Sequence, residues 1–260
     1  MNYTLFISDL HLQESQLKKT DSFLKFLSTT AVKADALYIL GDLFEVWVGD
    51  DDNSLFYEKI KIALKQYTTL GIPTYLMHGN RDFLIGKKFI EDTGCIFIKD
   101  PWKINFYGVP TLLTHGDLLC TKDKCYMRYR KLVHNPICQK LFLLLPLKLR
   151  KFIANYLRAK SNPPSPRLRR VSPRFHPRIN TWFSTKEDKK YISRESIIQL
   201  IQQHNVTQLI HGHIHTPTIR NIKLNKITGK CISLDAWEDT DSSLIYYQDH
   251  IFKFRSNDSP

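Results

Sequence analysis

Ala36-Leu37-Tyr38-Ile39-Leu40-Gly41-Asp42 is the stretch on which the fold turns. Five apolar or aromatic residues in unbroken succession, stopped by a glycine and an aspartate, are the pattern of a short strand running into a loop. Upstream, Tyr3 to Ser8 is a second run of the same β type, and between the two, Leu17 to Leu27 carries apolar residues near helical spacing. Strand, helix and strand in that order make a unit of an α/β fold. Downstream, Leu55 to Leu70 reads as a helix ended by Gly71 and Pro73, and Thr74 to Met77 as the next strand. Trp102 to Phe106 and Thr111 to Thr114, split by a Gly108-Val109-Pro110 turn, predict a hairpin, and a helical segment follows from about Lys124 to Lys160. Ser161 to Pro177 carries Pro163, Pro164, Pro166, Pro173 and Pro177 among arginines and reads as an irregular loop. Helical spacing returns at Ile192 to Ile201. Leu209-Ile210, Thr218 to Leu224, Cys231 to Leu234, Leu244 to Tyr247 and Ile251 to Phe254 then read as strands. The implied architecture is an α/β sandwich core, residues 1–122 and 191–260, with a helical, basic insertion over 123–190.

Composition narrows the function classes. The 260 residues are 42% hydrophobic and 24% charged, the balance of an ordinary folded protein, and 10 Gly with 12 Pro exclude a collagen-like chain. The apolar stretch Leu141-Phe142-Leu143-Leu144-Leu145-Pro146-Leu147 falls far short of the ~20 residues that span a bilayer. Met1 to Ile7 lacks a basic n-region, so a cytoplasmic chain is expected, and five cysteines without C-x-x-C spacing suggest reduced thiols rather than a disulfide framework. Lys and Arg number 38 against 25 Asp and Glu, a formal charge of +13. Lys148 to Lys190 holds 13 basic residues against Glu187 and Asp188, an excess of +11, so the anionic partner of this charge is local.

The polar residues that need explaining follow strands, where loops of an α/β sheet converge. They are Asp9-Leu10-His11, Gly41-Asp42, Gly79-Asn80-Arg81-Asp82, His115-Gly116-Asp117 and Gly212-His213-Ile214-His215. Taken singly, an aspartate after a strand caps a turn and a lone histidine is a hydrogen-bonded structural residue. Together, Asp9, His11, Asp42, Asn80, His115, His213 and His215 form a mixed nitrogen and oxygen set suited to borderline divalent metals. Two such ions need about seven protein ligands with one bridging carboxylate, and Asp42, isolated after its strand, is the natural bridge.

The ordered motifs D-x-H, G-D, G-N-R-D, H-G-D and G-H-x-H resemble the calcineurin-like metallophosphoesterase superfamily, whose fold is a sandwich of two mixed β-sheets flanked by helices. Asp35 to Trp47, His78 to Leu84, and His115-Gly116-Asp117 with Leu119-Cys120-Thr121 are similar to one member family, the UDP-2,3-diacylglucosamine diphosphatases of lipid A biosynthesis. Arg81 stands where the wider superfamily commonly has histidine. The resemblance runs from about Thr4 to Ser161 and from about Tyr191 to Trp237. It implies two Mn2+ per chain, one bound by Asp9, His11, Asp42 and His215, the other by Asp42, Asn80, His115 and His213. It also implies substrate contacts at Asn80, Arg81, Asp123, Ser161 and His213, with Lys186 the candidate for a substrate lysine in a region that departs from the family pattern. Catalytic weight falls on Asp42 as the bridge and on Arg81 as a phosphate clamp. The implied reaction is attack by a bridging hydroxide on the phosphorus next to uridine, giving UMP and 2,3-diacylglucosamine 1-phosphate (lipid X). His78 and His211 fall outside the ligand set and are expected to be structural or to orient ligands.

From Tyr126 to Phe152, apolar Tyr129, Leu132, Ile137, Leu141 and Leu145 interleave with basic Arg128, Arg130, Lys131, Lys140 and Lys148. Such a block is either a lid completing the core or a greasy chamber for acyl chains with a face for anionic lipid. A diacylated substrate favours the second. The chain is therefore expected as a monomer, peripheral on the cytoplasmic side of a bacterial inner membrane, with a lipid-linked UDP-sugar as substrate and no nucleic acid as partner. The rival readings are a metallophosphoesterase of other specificity, such as a nuclease or dinucleotide hydrolase, and a non-enzymatic membrane-binding module. Metal content separates the second rival from both enzymes.

Overall fold

A computed structural model describes residues 3–161, 192–224, 227–237 and 242–256. Its contacts divide the chain into two compact units, Met1–Asp117 with Ile197–Pro260, and Leu118–Ser196.

In the first unit the apolar runs Tyr3 to Ile7, Ala36 to Leu40 and Thr74 to Met77 become strands because they can be buried on both faces. β1 (Tyr3–Ile7), β2 (Ala36–Leu40), β3 (Thr74–Met77) and β4 (Ile96–Ile98) are parallel neighbours. α1 (Leu17–Thr29), α2 (Leu55–Thr68) and α3 (Lys87–Thr93) are their crossovers. β5 (Trp102–Phe106) and β6 (Val109–Thr114) form an antiparallel hairpin, and β6 runs parallel to β7 (Gln208–His211). β8 (Thr218–Leu224), β9 (Ile227–Ser233), β10 (Ser242–Tyr247) and β11 (Phe252–Ser256) complete two mixed sheets, ordered β11-β10-β1-β2-β3-β4 and β5-β6-β7-β9-β8.

Strand alternation sorts the side chains. Phe6, Tyr38, Leu40 and Met77 from the first sheet share one core cluster with Phe106, Leu113, Ile210 and Ile232 from the second. The oppositely directed Leu5, Ile7, Leu37, Ile39 and Leu76 are buried too, as expected of parallel strands covered on both faces. The helices supply that outer cover through buried Phe23, Phe26, Ile60, Leu64 and Phe89. Trp237, 1% exposed, meets Phe26 and Phe23 edge-on at 5.2 and 6.0 Å, contacts each worth about 0.5–1.5 kcal/mol beyond burial.

Two expectations are corrected and two elements are added. The hairpin turn is Tyr107-Gly108, both at positive φ (50° and 88°), and Val109 and Pro110 already belong to β6. Two central residues of that conformation match the right-handed strand twist, so the loop is shorter than the proline suggested. α3 and β4 were not read from the sequence. The expected helix over 124–160 is three: α4 (Lys124–Val133), α5 (Pro136–Leu143) and α6 (Leu147–Ser161), all in the second unit. Asn135 makes the first break by capping α5, its Oδ1 accepting from the Ile137 N–H at 2.9 Å with Pro136 at the first helical turn. α7 (Arg194–Gln203) follows. The proline-rich stretch 163–190, with Lys186, lies outside the described residues. Among the described residues no helix is long and apolar enough to cross a membrane.

Candidate active site

The carboxyl ends of β1, β2, β3, β6 and β7 carry the five motifs. Parallel pairing brings β1, β2 and β3 side by side in one sheet and β6 beside β7 in the other, so five loops converge. Backbone bonds stitch those loops together. The Asp9 N–H donates to the Gly41 carbonyl (3.1 Å), His11 N–H to Asp42 (2.9 Å) and Gly212 N–H to His115 (2.9 Å). The turns are abrupt. Asp9, His11, Asp42, His213 and His215 all sit in the left-handed region, at φ 54°, 50°, 54°, 71° and 54°. Each such non-glycine residue costs roughly 1 kcal/mol or more, and strain of this kind is retained where it aims functional side chains. Two glycines make the close approach possible. A Cβ at Gly41, itself at φ 88°, would lie 2.7 Å from the Gly79 Cα and His115 Nδ1, and one at Gly79 would run into the Oδ1 and backbone nitrogen of Asp42.

Asp42 stands at the centre with its two oxygens turned to different partners. Oδ2 is 3.7 Å from His11 Nε2, and Oδ1 is 3.8 Å from His115 Nε2. On the first side, Asp9 Oδ1 lies 3.2 Å from His215 Nε2 and 3.7 Å from His11 Nε2, and the two histidine nitrogens are 3.4 Å apart. On the second side, His115 Nε2 is 3.0 Å from Asn80 Oδ1, and the His213 ring packs edge-on against His115 with centroids 5.1 Å apart. All seven candidate ligands thus gather in one unit. Asp9, His11 and His215, and separately Asp9, Asp42 and His115, each bring three donor atoms within 4.8 Å of one another.

Electrostatics fit a cation here. Asp9 and Asp42 are 0% and 1% exposed, and burying a carboxylate costs several kcal/mol unless it is compensated. Burial opposes ionisation of Asp9, but the His215 hydrogen bond and the charges of His115, His215 and His11 hold its carboxyl well below the usual range. Burial pushes His11 down to about 4 against the pull of Asp42 and Asp9, which leaves its ring neutral and able to ligate at pH 7. At His115 burial is outweighed by the Asp42, Asp9 and Asp117 carboxylates and the Leu40 carbonyl, which push it up to about 9. An imidazolium in that position stands in for positive charge that a divalent ion supplies. The donor chemistry and the two buried carboxylates therefore fit divalent metal.

Arg81 donates its backbone N–H to Asp42 Oδ1 (2.9 Å), while its guanidinium Nε is buried without a hydrogen-bond partner among the described residues. Asp123 and Ser161 belong to the other unit. Asp123 caps α4 by accepting the Tyr126 N–H at 2.8 Å, and Ser161 is the last residue of α6. His78 and His211 bond through ring nitrogens to the carbonyls of Ile85 (2.7 Å) and Gly212 (2.9 Å), so they brace loop backbone.

Two residues had no assigned role in the sequence reading. Asp82, fully buried, accepts N–H groups from Gly79 (2.8 Å) and Asp42 (3.3 Å) on Oδ1 and from Leu43 (2.7 Å) on Oδ2, clamping the β2 and β3 loops in register. Burial and the Asp42 charge push it up to about 6. Its signal was its place in Gly79-Asn80-Arg81-Asp82. Glu45 Oε2 lies 2.8 Å from His11 Nδ1, and only the tertiary approach of two loops reveals it.

Residues 3–217 match the calcineurin-like phosphoesterase family. The chain is 42% identical over 234 residues to a UDP-2,3-diacylglucosamine hydrolase of Yersinia pseudotuberculosis, covering 90% of each chain. It is likewise 42% identical over 235 residues to the same-named protein of Yersinia pestis, again with 90% of each covered. An archaeal phosphodiesterase of known structure superposes with a TM-score of 0.46 at 10% identity, over 98% of this chain and 99% of that one.

Proposed function

The chain belongs to the calcineurin-like phosphoesterase family, and from that membership and its kinship with UDP-2,3-diacylglucosamine hydrolases we propose that it hydrolyses the diphosphate of UDP-2,3-diacylglucosamine in lipid A biosynthesis. The products are UMP and 2,3-diacylglucosamine 1-phosphate. The observation that carries the chemistry is Asp42, a buried carboxylate with one oxygen toward His11 and the other toward His115. It would bridge two ions, one held with Asp9, His11 and His215 and one with Asn80, His115 and His213. We take both as Mn2+. When bound, such ions lower the pKa of a ligated water and neutralise charge on the phosphoryl group. The chain's own residues do the rest. Asn80 and His213 hold the attacked phosphate, and the Arg81 guanidinium, with its buried Nε unpartnered, pairs with diphosphate oxygens as charge develops. Water attacks the phosphorus next to uridine, its oxygen stays in UMP, and the bond to the oxygen of the lipid-side phosphate breaks. Incubating the Mn-reconstituted protein with UDP-2,3-diacylglucosamine in heavy-oxygen water tests this by mass. Label in UMP is expected. Label in the lipid phosphate moves the attack to the other phosphorus, and intact substrate rejects the activity.

The second unit supports the lipid half of the reading. α4 and α5 contain no buried residue, and Ile137 (69% exposed) and Leu144 (81%) stand out among lysines and arginines. An apolar surface set in basic charge suits acyl chains and anionic headgroups, so on this reading α4 and α5 face the lipid in a protein peripheral to the cytoplasmic face of the inner membrane, with Asp123 and Ser161 as substrate contacts of the same unit. Sedimentation with anionic vesicles should fall steeply as salt rises from about 0.05 to 0.5 M, because added salt shortens the screening length. Binding that ignores lipid charge removes the electrostatic role.

A further inference from the structure

His11 and His115 face opposite oxygens of Asp42 but are backed by different chemistry. The loops after β1 and β2 run alongside each other, with Leu12 N–H donating to Leu43 at 2.9 Å and Glu45 N–H donating back to Leu12 at 3.0 Å. This register sets Glu45 behind the His11 ring. Its Oε2 lies 2.8 Å from Nδ1 but off the ring's N–H direction, so the two make no hydrogen bond as the ring stands, and both side chains are largely screened at 13% and 18% exposed. His11 Nε2 meanwhile faces Asp42 and Asp9. Among the described residues the recorded partner of His115 Nδ1 is the neutral Leu40 carbonyl at 3.0 Å rather than a carboxylate.

We infer that Glu45 is a positioning residue for one ion only: a small turn of the His11 ring onto the ion would let Nδ1–H donate to the Glu45 carboxylate 2.8 Å away, which fixes the ring and strengthens Nε2 as a donor, so the ion held by Asp9, His11, Asp42 and His215 depends on Glu45 and the other does not. A carboxylate at the far nitrogen of a ligating imidazole fixes the tautomer and raises ligand basicity, and losing it weakens metal binding about 10–100-fold. A backbone carbonyl fixes the tautomer with less charge. The inference rests on the two-ion reading above.

The test is a Mn2+ titration of the metal-stripped full-length protein, with free Mn2+ followed by electron paramagnetic resonance. Wild type should bind two ions. Glu45→Gln keeps the side-chain size and removes the charge, and should weaken one ion about 10–100-fold while leaving the other unchanged. In a His11→Gln background, adding Glu45→Gln should cost nothing more, because the group through which Glu45 acts is gone. An unchanged isotherm, equal weakening of both ions, or additive losses in the double variant each overturn the inference. Wild type binding fewer than two ions overturns the two-ion reading instead, which keeps the failures distinct. If Glu45→Gln does not fold, wild type loaded with Zn2+ decides by nuclear magnetic resonance. The His11 Nδ1 proton should be downfield and slow to exchange, and a fast-exchanging proton overturns the contact.

Discussion

Asp42→Ala should lower turnover by about ten-thousand-fold or more, whereas loss of a ligand to one ion, as in Asn80→Ala, should cost roughly a hundred- to thousand-fold. The difference follows from the position of the carboxylate. Its oxygens face His11 at 3.7 Å and His115 at 3.8 Å, so its removal disturbs both donor groups at once. It also takes away the acceptor of the Arg81 backbone N–H, which ties the β3 loop to the β2 loop. Asn80 Oδ1 lies on the His115 side, 3.0 Å from Nε2. The check pairs kcat with metal content by mass spectrometry. An Asp42→Ala protein that keeps two tight ions and near-normal turnover ends the bridging assignment.

Arg81→Ala is expected to lower kcat by about a hundred- to thousand-fold with metal content intact, the usual scale for losing one group that stabilises transition-state charge. Alanine retains the backbone N–H that bonds Asp42 Oδ1, so the loops and ligands keep their places. What is lost is the guanidinium, whose Nε is buried with no hydrogen-bond partner among the described residues and whose fork is suited to diphosphate oxygens. Lost metal in this variant, or undiminished turnover, takes Arg81 out of the mechanism. Lysine should rescue only in part, because an ammonium cannot reproduce the bidentate fork.

The sequence by itself determined the sandwich and the place of the site. Tyr3 to Ile7, Ala36 to Leu40 and Thr74 to Met77 are apolar on both faces, which only a covered parallel sheet can bury, and each ends in a polar motif that has nowhere to go but the strand-end loops. The seven candidate ligands were legible because such residues, all at strand ends, suit one metal-binding use together. Elements whose reasons lie elsewhere in the chain were not legible. α3 has two buried residues, Phe89 and Thr93, too few to show a period, and its N-terminus is satisfied by Asp50, which accepts the Gly86 and Phe89 N–H groups at 2.9 and 3.0 Å across more than thirty residues. β4 is three residues long and exists through its pairing with β3. Glu45 behind His11, Asp82 beneath Asp42 and the left-handed turns of five candidate ligands were likewise decided by tertiary structure. Composition and periodicity report what a residue can bury or bond, but which oxygen reaches which nitrogen is fixed only when two loops are held in register by strands far apart in the chain.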